Sequence, residues 1–253
     1  MRVEKDEWLS GVLEILSWKL LGMEAGTSPA EIRANLLDRA GQGSAFFSAK
    51  IPTRDMGTVT NATRAGLFVV DVSVTFDWDK TTNGASGNNV GGNSHMIIEA
   101  AGADDTLAIE EIAGNCFTLS RFHLDPAIGL DRANEVKRQW ARNACVGRAS
   151  IVYVARQQGH VTGFLAVLEN KSSEREDAII DLVGVDAAHQ GRGVGRALSG
   201  MFVEQWQGRA DRLRVGTQIS NIPAMRLYES IGFRVAETSY VLHAHVKNGA
   251  LAT

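Results

Sequence analysis

Cysteine is scarce in this chain. Only Cys116 and Cys145 occur in 253 residues. Both fall in stretches with helical patterning, so they read as buried thiols in a reducing compartment, not as a disulfide framework. Long apolar runs are also missing. None approaches the roughly 20 residues needed to span a bilayer. The first residues, MRVEKDEWLSG, carry acids and lack an apolar signal core. The expected location is cytoplasmic, with no membrane partner. Basic excess is absent as well. Lys and Arg number 26 against 29 Asp and Glu, the net charge is −3 and the pI about 6.1. No long basic run occurs, so the electrostatic footprint of a nucleic-acid binder is lacking. What remains is 44% hydrophobic and 22% charged, the composition of an ordinary globular protein.

One segment interrupts that composition. TTNGASGNNVGGNSH, residues 81–95, is almost entirely Gly, Asn, Ser and Thr. Such a stretch buries too little apolar surface to order itself and reads as a linker or long loop. It divides the chain into a small N-terminal α/β portion, residues 1–80, and a larger portion, residues 96–253. In the first, SPAEIRANLLDRAG predicts a helix, with Ser28 as cap, Pro29 in the first turn and Gly41 as stop. SAFFSAKIP reads as a strand, and RDMGTVTNATRAGLFVVDVSVTFDW as a short helix followed by an alternating strand. In the second portion, MIIEAA is a strand. ADDTLAIEEIAGNCF and DRANEVKRQWARNACVG are helices, and ASIVYVAR and HVTGFLAVLEN form a hairpin. DAIIDLVGV, RLRVGTQI and AETSYVLHAHV are strands, with helices between them. This alternation predicts an α/β fold with a mixed central sheet flanked by helices.

The stretch HQGRGVGRAL follows the strand Ile179 to Val185 and opens a helix near Val194. A helix N-terminus offers free backbone N–H groups and the positive end of the dipole. Glycine lets the backbone approach a ligand closely. Gln190, Gly191, Arg192, Gly193, Val194, Gly195 and Arg196 therefore read as a cradle for a phosphate or pyrophosphate, with a plain surface turn as the blander alternative. The spacing fits neither a P-loop nor a GxGxxG dinucleotide fingerprint.

These residues resemble motif A of the GNAT N-acetyltransferases, with its [RQ]-x-x-G-x-[GA] core at Gln190, Gly193 and Gly195. NIPAMRLYESIGF resembles the motif B that follows in that family. The resemblance implies a GNAT fold in residues 96–253, preceded by a partial GNAT-like domain. It implies acetyl-CoA or another short-chain acyl-CoA as co-substrate, its pyrophosphate in the cradle. The strand Ile179 to Val185 would carry a bulge and offer backbone groups of Val183 and Val185 to the pantetheine arm and thioester. Asn221 would sit beside the arm, and the Tyr228 hydroxyl near the sulfur. More narrowly, the chain is similar to GNATs that acetylate nucleotide-linked amino deoxysugars, loosely over the first 40 residues and not in the linker. A small-molecule amine acceptor of that kind follows. A GNAT for another small amine, an antibiotic or a protein N-terminus is the alternative, as is a non-catalytic acyl-CoA-binding module. A homodimer stays open.

Amide formation needs a neutral amine, a polarised carbonyl and a proton for the thiolate. Tyr228 is the candidate acid, although it shares its helix with Met225, Leu227 and Ile231 and also fits a core. For the base, His123 is attractive because imidazole titrates near neutrality. Asp181 is a weaker candidate that also suits a structural ion pair, and water is a third route. Ser120, Arg121 and His123 form a candidate acceptor-binding loop, in which Arg121 either grips a phosphate or pairs with Asp125 or Asp131. Trp140 and Asn143 can line the same cleft. His243 and His245 share a strand face. No third metal ligand accompanies them, so an acceptor-pocket or surface role is the better expectation.

Overall fold

A computed structural model describes residues 1–79, 96–172 and 175–252; the linker expected at 81–95 lies outside them. The N-terminal portion runs β1 (Arg2–Lys5), α1 (Glu7–Leu13), β2 (Leu16–Leu21), α2 (Pro29–Ala40), β3 (Ala45–Pro52), α3 (Met56–Ala65) and β4 (Phe68–Trp78). The second portion runs β5 (Met96–Ala100), α4 (Thr106–Cys116), α5 (Leu130–Asn143), β6 (Ile151–Gln157), β7 (His160–Lys171) and β8 (Glu176–Val185). It continues with α6 (Val194–Trp206), β9 (Arg212–Gln218), α7 (Ile222–Ser230), β10 (Phe233–Lys247) and β11 (Ala250–Leu251). Among the described residues no helix is long and apolar enough to cross a membrane.

Local chemistry explains most of these boundaries. Ser28 Oγ accepts the Glu31 N–H at 3.2 Å, Pro29 starts α2, and Gly41 ends it at φ +57°. α5 runs into a π-helical turn, Ala144–Arg148, where Gly147 takes φ +111°. Gln158 and Gly159, both at positive φ, close the two-residue β6–β7 hairpin. Four strands or helices were not anticipated from the sequence: β1, α1 and β2, which occupy the first 21 residues, and the two-residue β11. Each has seven residues or fewer, too few for a hydrophobic period to register.

The strands form one mixed sheet in the order β1-β2-β3-β10-β4-β9-β8-β7-β6-β5, with β11 beside β10. The last long strand, β10, lies between β3 and β4 of the N-terminal portion and is antiparallel to both. β4 in turn lies between β10 and β9. The two portions thus interlock through backbone ladders. β10 also separates the faces. Leu242, Ala244 and Val246 join the core under α2 and α3, while His243 and His245 point the other way, toward Phe46 and Phe122. On the first face, α6 and α7 cover Val74, Phe76, Ile180 and Val215. On the second, α4 and α5 cover β6, β7 and β8, and α1 packs with α5 over Phe46.

Candidate active site

The sheet opens at one place. β8 and β9 pair in parallel only from Asp177↔Arg212 to Ile180↔Val215. On its other side, β8 pairs Ile180 with Val167 and then Leu182 with Ala166, so Asp181 is an inserted bulge residue. A bulge twists its strand. Past it, β8 follows β7 to Val185, while β9 follows β4 to Gln218. Beyond Ile180 and Val215 the facing edges of the two strands have no ladder between them.

The glycine-rich stretch lies at the far end of that opening. Gln190 Nε2 donates to the Val185 carbonyl at 3.1 Å, so one acceptor at the strand end is already taken. Gly191 has φ +73°. Gly193, the N-cap of α6, has φ +85° and supplies no side-chain cap. The first N–H groups of α6 therefore face outward from a positively polarised helix end. Val194 is buried beneath and Arg192 is exposed beside them. Gly195 is helical, and a Cβ there would make ordinary contacts with Leu227 and Val185 at 3.5 and 3.6 Å. Arg196 turns away from the loop and donates to Ser230 Oγ at 2.5 Å, tying α6 to the end of α7.

α7 carries the other family positions. Asn221 Oδ1 accepts the Ala224 N–H at 3.2 Å and so caps the helix. Tyr228 is 3% exposed and packs against Phe76 and Phe233, with ring centroids 5.9 and 6.0 Å away. Burial pushes its phenol pKa up, so it keeps its proton at neutral pH.

A cavity of about 680 Å³ lies on the opposite face of the sheet, under α1 and α5. The N-terminal portion contributes Lys19, Lys50, Asp71 and Ser73. The second portion contributes Ser120, Arg121, Lys137, Trp140, Asn143 and Gln218. Its wall meets the bulge through Arg148, which grips Asp181 with both terminal guanidinium nitrogens, while Trp140 Nε1 donates to Asp181 at 2.8 Å. Asp181 is thus a paired structural carboxylate. Arg121 makes no ion pair among the described residues, with Asp125 or Asp131 or any other acid. Burial pushes its pKa down to about 10 and that of Lys137 to about 8. Burial also raises Asp71 to about 6, with its Oδ1 holding the Val72 N–H.

His123 does not line the cavity. Its Nε2 lies 2.9 Å from Asn134 Oδ1 and its Nδ1 2.6 Å from Ser120 Oγ. A neutral ring that donates to Asn134 and accepts the Ser120 hydroxyl satisfies both contacts. Burial lowers its pKa, which favours that form. His243 and His245 are not surface residues. His243 Nδ1 and His245 Nε2 approach Asp125 Oδ2 at 2.6 and 2.8 Å in a buried cluster. Burial raises the Asp125 carboxyl, but the two histidine hydrogen bonds outweigh it and hold the group well below the carboxylate range. The cluster anchors the loop that carries Ser120 and Arg121 onto β10. Among the described residues no group of three or more His, Cys, Asp or Glu could hold a metal.

Sequence reasoning missed Lys50, Asp71 and Lys137. Lys137 did leave a trace: it sits one position past Val136 and four past Ala133, on the buried face of α5. Lys50 and Asp71 left none, because each belongs to a strand whose partner is distant in sequence. They flank Val241 of β10 in a single row, Lys50↔Val241↔Asp71.

Residues 148–235 match the acetyltransferase (GNAT) domain family. The spore coat polysaccharide biosynthesis protein SpsD of Bacillus subtilis (strain 168) is 37% identical over 140 residues, covering 55% of this chain and 47% of that protein. The dTDP-fucosamine acetyltransferase of Escherichia coli O6:H1 is 27% identical over 159 residues, covering 62% and 65%. The matches thus span between about half and two thirds of these relatives. A GCN5-related N-acetyltransferase from Sphaerobacter thermophilus shares the fold, with a TM-score of 0.59 at 14% identity over 98% of this chain and 78% of that one. Both motifs and the bulged strand residue Asp181 lie within the residues that match the acetyltransferase (GNAT) domain.

Proposed function

We propose that this chain transfers an acyl group from acetyl-CoA, or another short-chain acyl-CoA, to the amine of a nucleotide-linked amino deoxysugar. The observation that carries the reading is the opening between β8 and β9, which has an uncapped helix N-terminus at one end and a cationic cavity across the sheet. The names of the two curated relatives, one in polysaccharide biosynthesis and one acting on dTDP-fucosamine, support a sugar acceptor.

When bound, acyl-CoA supplies the acyl group as an activated thioester. The N–H groups of Val194, Gly195 and Arg196, with Arg192 beside them, suit its pyrophosphate. Backbone N–H groups of β8 around Val183 would stabilise negative charge developing on the carbonyl oxygen. The amine attacks the carbonyl carbon, the C–S bond breaks, and the Tyr228 hydroxyl gives the departing sulfur a proton. The amine's own proton leaves to water. In this reading His123, with both ring nitrogens engaged, fixes the Ser120–Arg121 loop and is not the base. Asn221 shapes the start of α7 beside the coenzyme arm.

A thiol-release assay with acetyl-CoA tests the proposal. The acceptor panel would be dTDP- and UDP-linked 3-amino and 4-amino deoxysugars, an aminoglycoside and a peptide with a free N-terminus. Turnover confined to the sugar nucleotides is expected. Turnover only on the peptide or the aminoglycoside would move the chain to the alternative class. Thiol release with none of them, alongside tight acetyl-CoA binding, would favour a binding module.

A further inference from the structure

Three cations reach the cavity from separate parts of the fold: Lys50 from β3, Arg121 from the loop before α5, and Lys137 from α5 itself. Among the described residues no carboxylate lies within ion-pair distance of any of them. Other cations on the same wall are paired, Lys19 with Asp6 at 2.7 Å and Arg148 with Asp181. Lys137 is only 8% exposed, and its ammonium rests 4.6 and 4.8 Å from the ring centres of Phe117 and Trp140. The Arg121 guanidinium lies 4.5 Å from the Phe122 ring. Aromatic faces attract these cations but do not neutralise them.

The three groups also act on one another. Desolvation lowers the pKa of both lysines and the charge of Arg121 lowers it further, while Asp71, across Val241 from Lys50, raises that of Lys50. Asp6 raises that of Arg121 and Asp181 that of Lys137, so these acids act on the three mutually repelling cations from beyond ion-pair distance. Lys50 reaches the cavity from an exposed position, while repulsion at the buried Lys137 is stronger than in bulk solvent. An anion that reaches all three offsets it. A carboxylate brings one charge on two adjacent oxygens. A diphosphate brings two charges on separate phosphoryl groups, and the arginine fork can grip one of them through two bonds.

We propose that Lys50, Arg121 and Lys137 form the seat for the diphosphate of the acceptor, distinct from the α6 cradle on the other face of the sheet. Calling that ligand the acceptor rests on the acyl-transfer reading; the anion seat itself does not. Lys50 then makes the N-terminal portion part of substrate recognition, so that acyl donor and acceptor each bring a diphosphate to opposite sides of the opening.

Calorimetry with thymidine diphosphate, uridine diphosphate and succinate tests the seat directly. Wild-type protein should bind both nucleoside diphosphates, with succinate far weaker. Lys50→Met and Arg121→Met should each weaken the diphosphates by roughly 10- to 100-fold, the size of a lost charge-assisted contact. Lys50→Arg should restore most of the binding. Gly193→Val, which strains the α6 cradle, should leave it unchanged. Melting curves identify any variant that fails to fold, and the other cation variant then decides. Unchanged affinity in a folded Lys50→Met or Arg121→Met protein overturns the seat. So does loss of the probe in Gly193→Val, which would place it in the cradle, and so does succinate binding as tightly as the diphosphates. Acetyl-CoA titrated into the same proteins separates the two readings. If the wild type binds nucleoside diphosphate but no acetyl-CoA, acyl transfer fails while the seat stands.

Discussion

The α6 cradle and the cationic cavity suit anions by opposite means. The cradle uses backbone: helix N–H groups, a dipole, and glycines at positive φ that leave room for approach. Its parts are neighbours in the chain. The cavity uses side chains from β2, β3, β4, α5 and the loop before it. Its unpaired cations are distant in sequence, the nearest two, Arg121 and Lys137, lying 16 positions apart. A backbone site needs little from the rest of the fold. A side-chain site exists only if the whole sheet assembles.

Separating the two chain portions should have the largest effect. A fragment of residues 96–253 lacks β4, the strand that joins β9 to β10. It would expose three ladder edges, one on β9 and both on β10, and lose Phe76 from the core around Tyr228. Circular dichroism and thermal melting should find no cooperative transition near that of the whole chain. A fragment that melts like the intact protein would show that the second portion closes its own sheet.

Next in size is Tyr228→Phe, which keeps the ring between Phe76 and Phe233 and removes only the hydroxyl. A kcat lowered by roughly 10²- to 10⁴-fold with little change in acetyl-CoA affinity is expected of a proton donor. Normal turnover with the true acceptor would return Tyr228 to a packing role.

A paired measurement sharpens the contrast between backbone and side-chain sites. Gly193→Val forces a β-branched residue to φ +85°, at a strain of about 1–3 kcal/mol. Acetyl-CoA should bind roughly 10- to 100-fold more weakly, with acceptor KM nearly unchanged. Arg121→Met should do the reverse, raising acceptor KM by a similar factor and sparing acetyl-CoA. If either variant weakens both ligands equally, the two sites are coupled and not separate.

The smallest effect concerns the clamp beneath the Arg121 loop. Burial, opposed by the hydrogen bond to Asp125, pushes His243 down to about 4 from 6.5. Between those values the unfolded chain binds more protons than the folded one, so acid favours unfolding. The stabilisation is complete above pH 6.5 and is lost as pH falls toward 4. Asp125, held low, adds its own loss further down. A melting temperature that drops by several degrees across pH 6.5 to 4 is expected, with a flatter profile in His243→Gln. A flat wild-type profile would show that folding does not lower the pKa of this ring.

Much of the fold was legible because its signals are local. The caps of α2, the stop at Gly147 and the hairpin glycine each act within a few residues. So do the cradle glycines and the α7 positions Asn221 and Tyr228. The three short N-terminal elements escaped because four to seven residues carry no clear period. Asp125 was weighed only as a partner for Arg121, since nothing local links it to His243 and His245, 118 and 120 residues later. His123 looked like a base because imidazole chemistry is visible in the sequence, whereas its engagement by Asn134 is not.

By itself the sequence determined the alternation of strands and helices, the glycine-rich start of α6 and the two motifs that resemble those of GNAT acetyltransferases, because period, capping and backbone freedom are properties of adjacent residues. Only the tertiary structure decided that β10 threads between β3 and β4, that Asp181 serves Arg148 and Trp140, and that Lys50, Arg121 and Lys137 share one cavity. The reason is that strand pairing and charge convergence depend on which distant segments meet. That is set by the packing of the whole sheet and by no single stretch of chain.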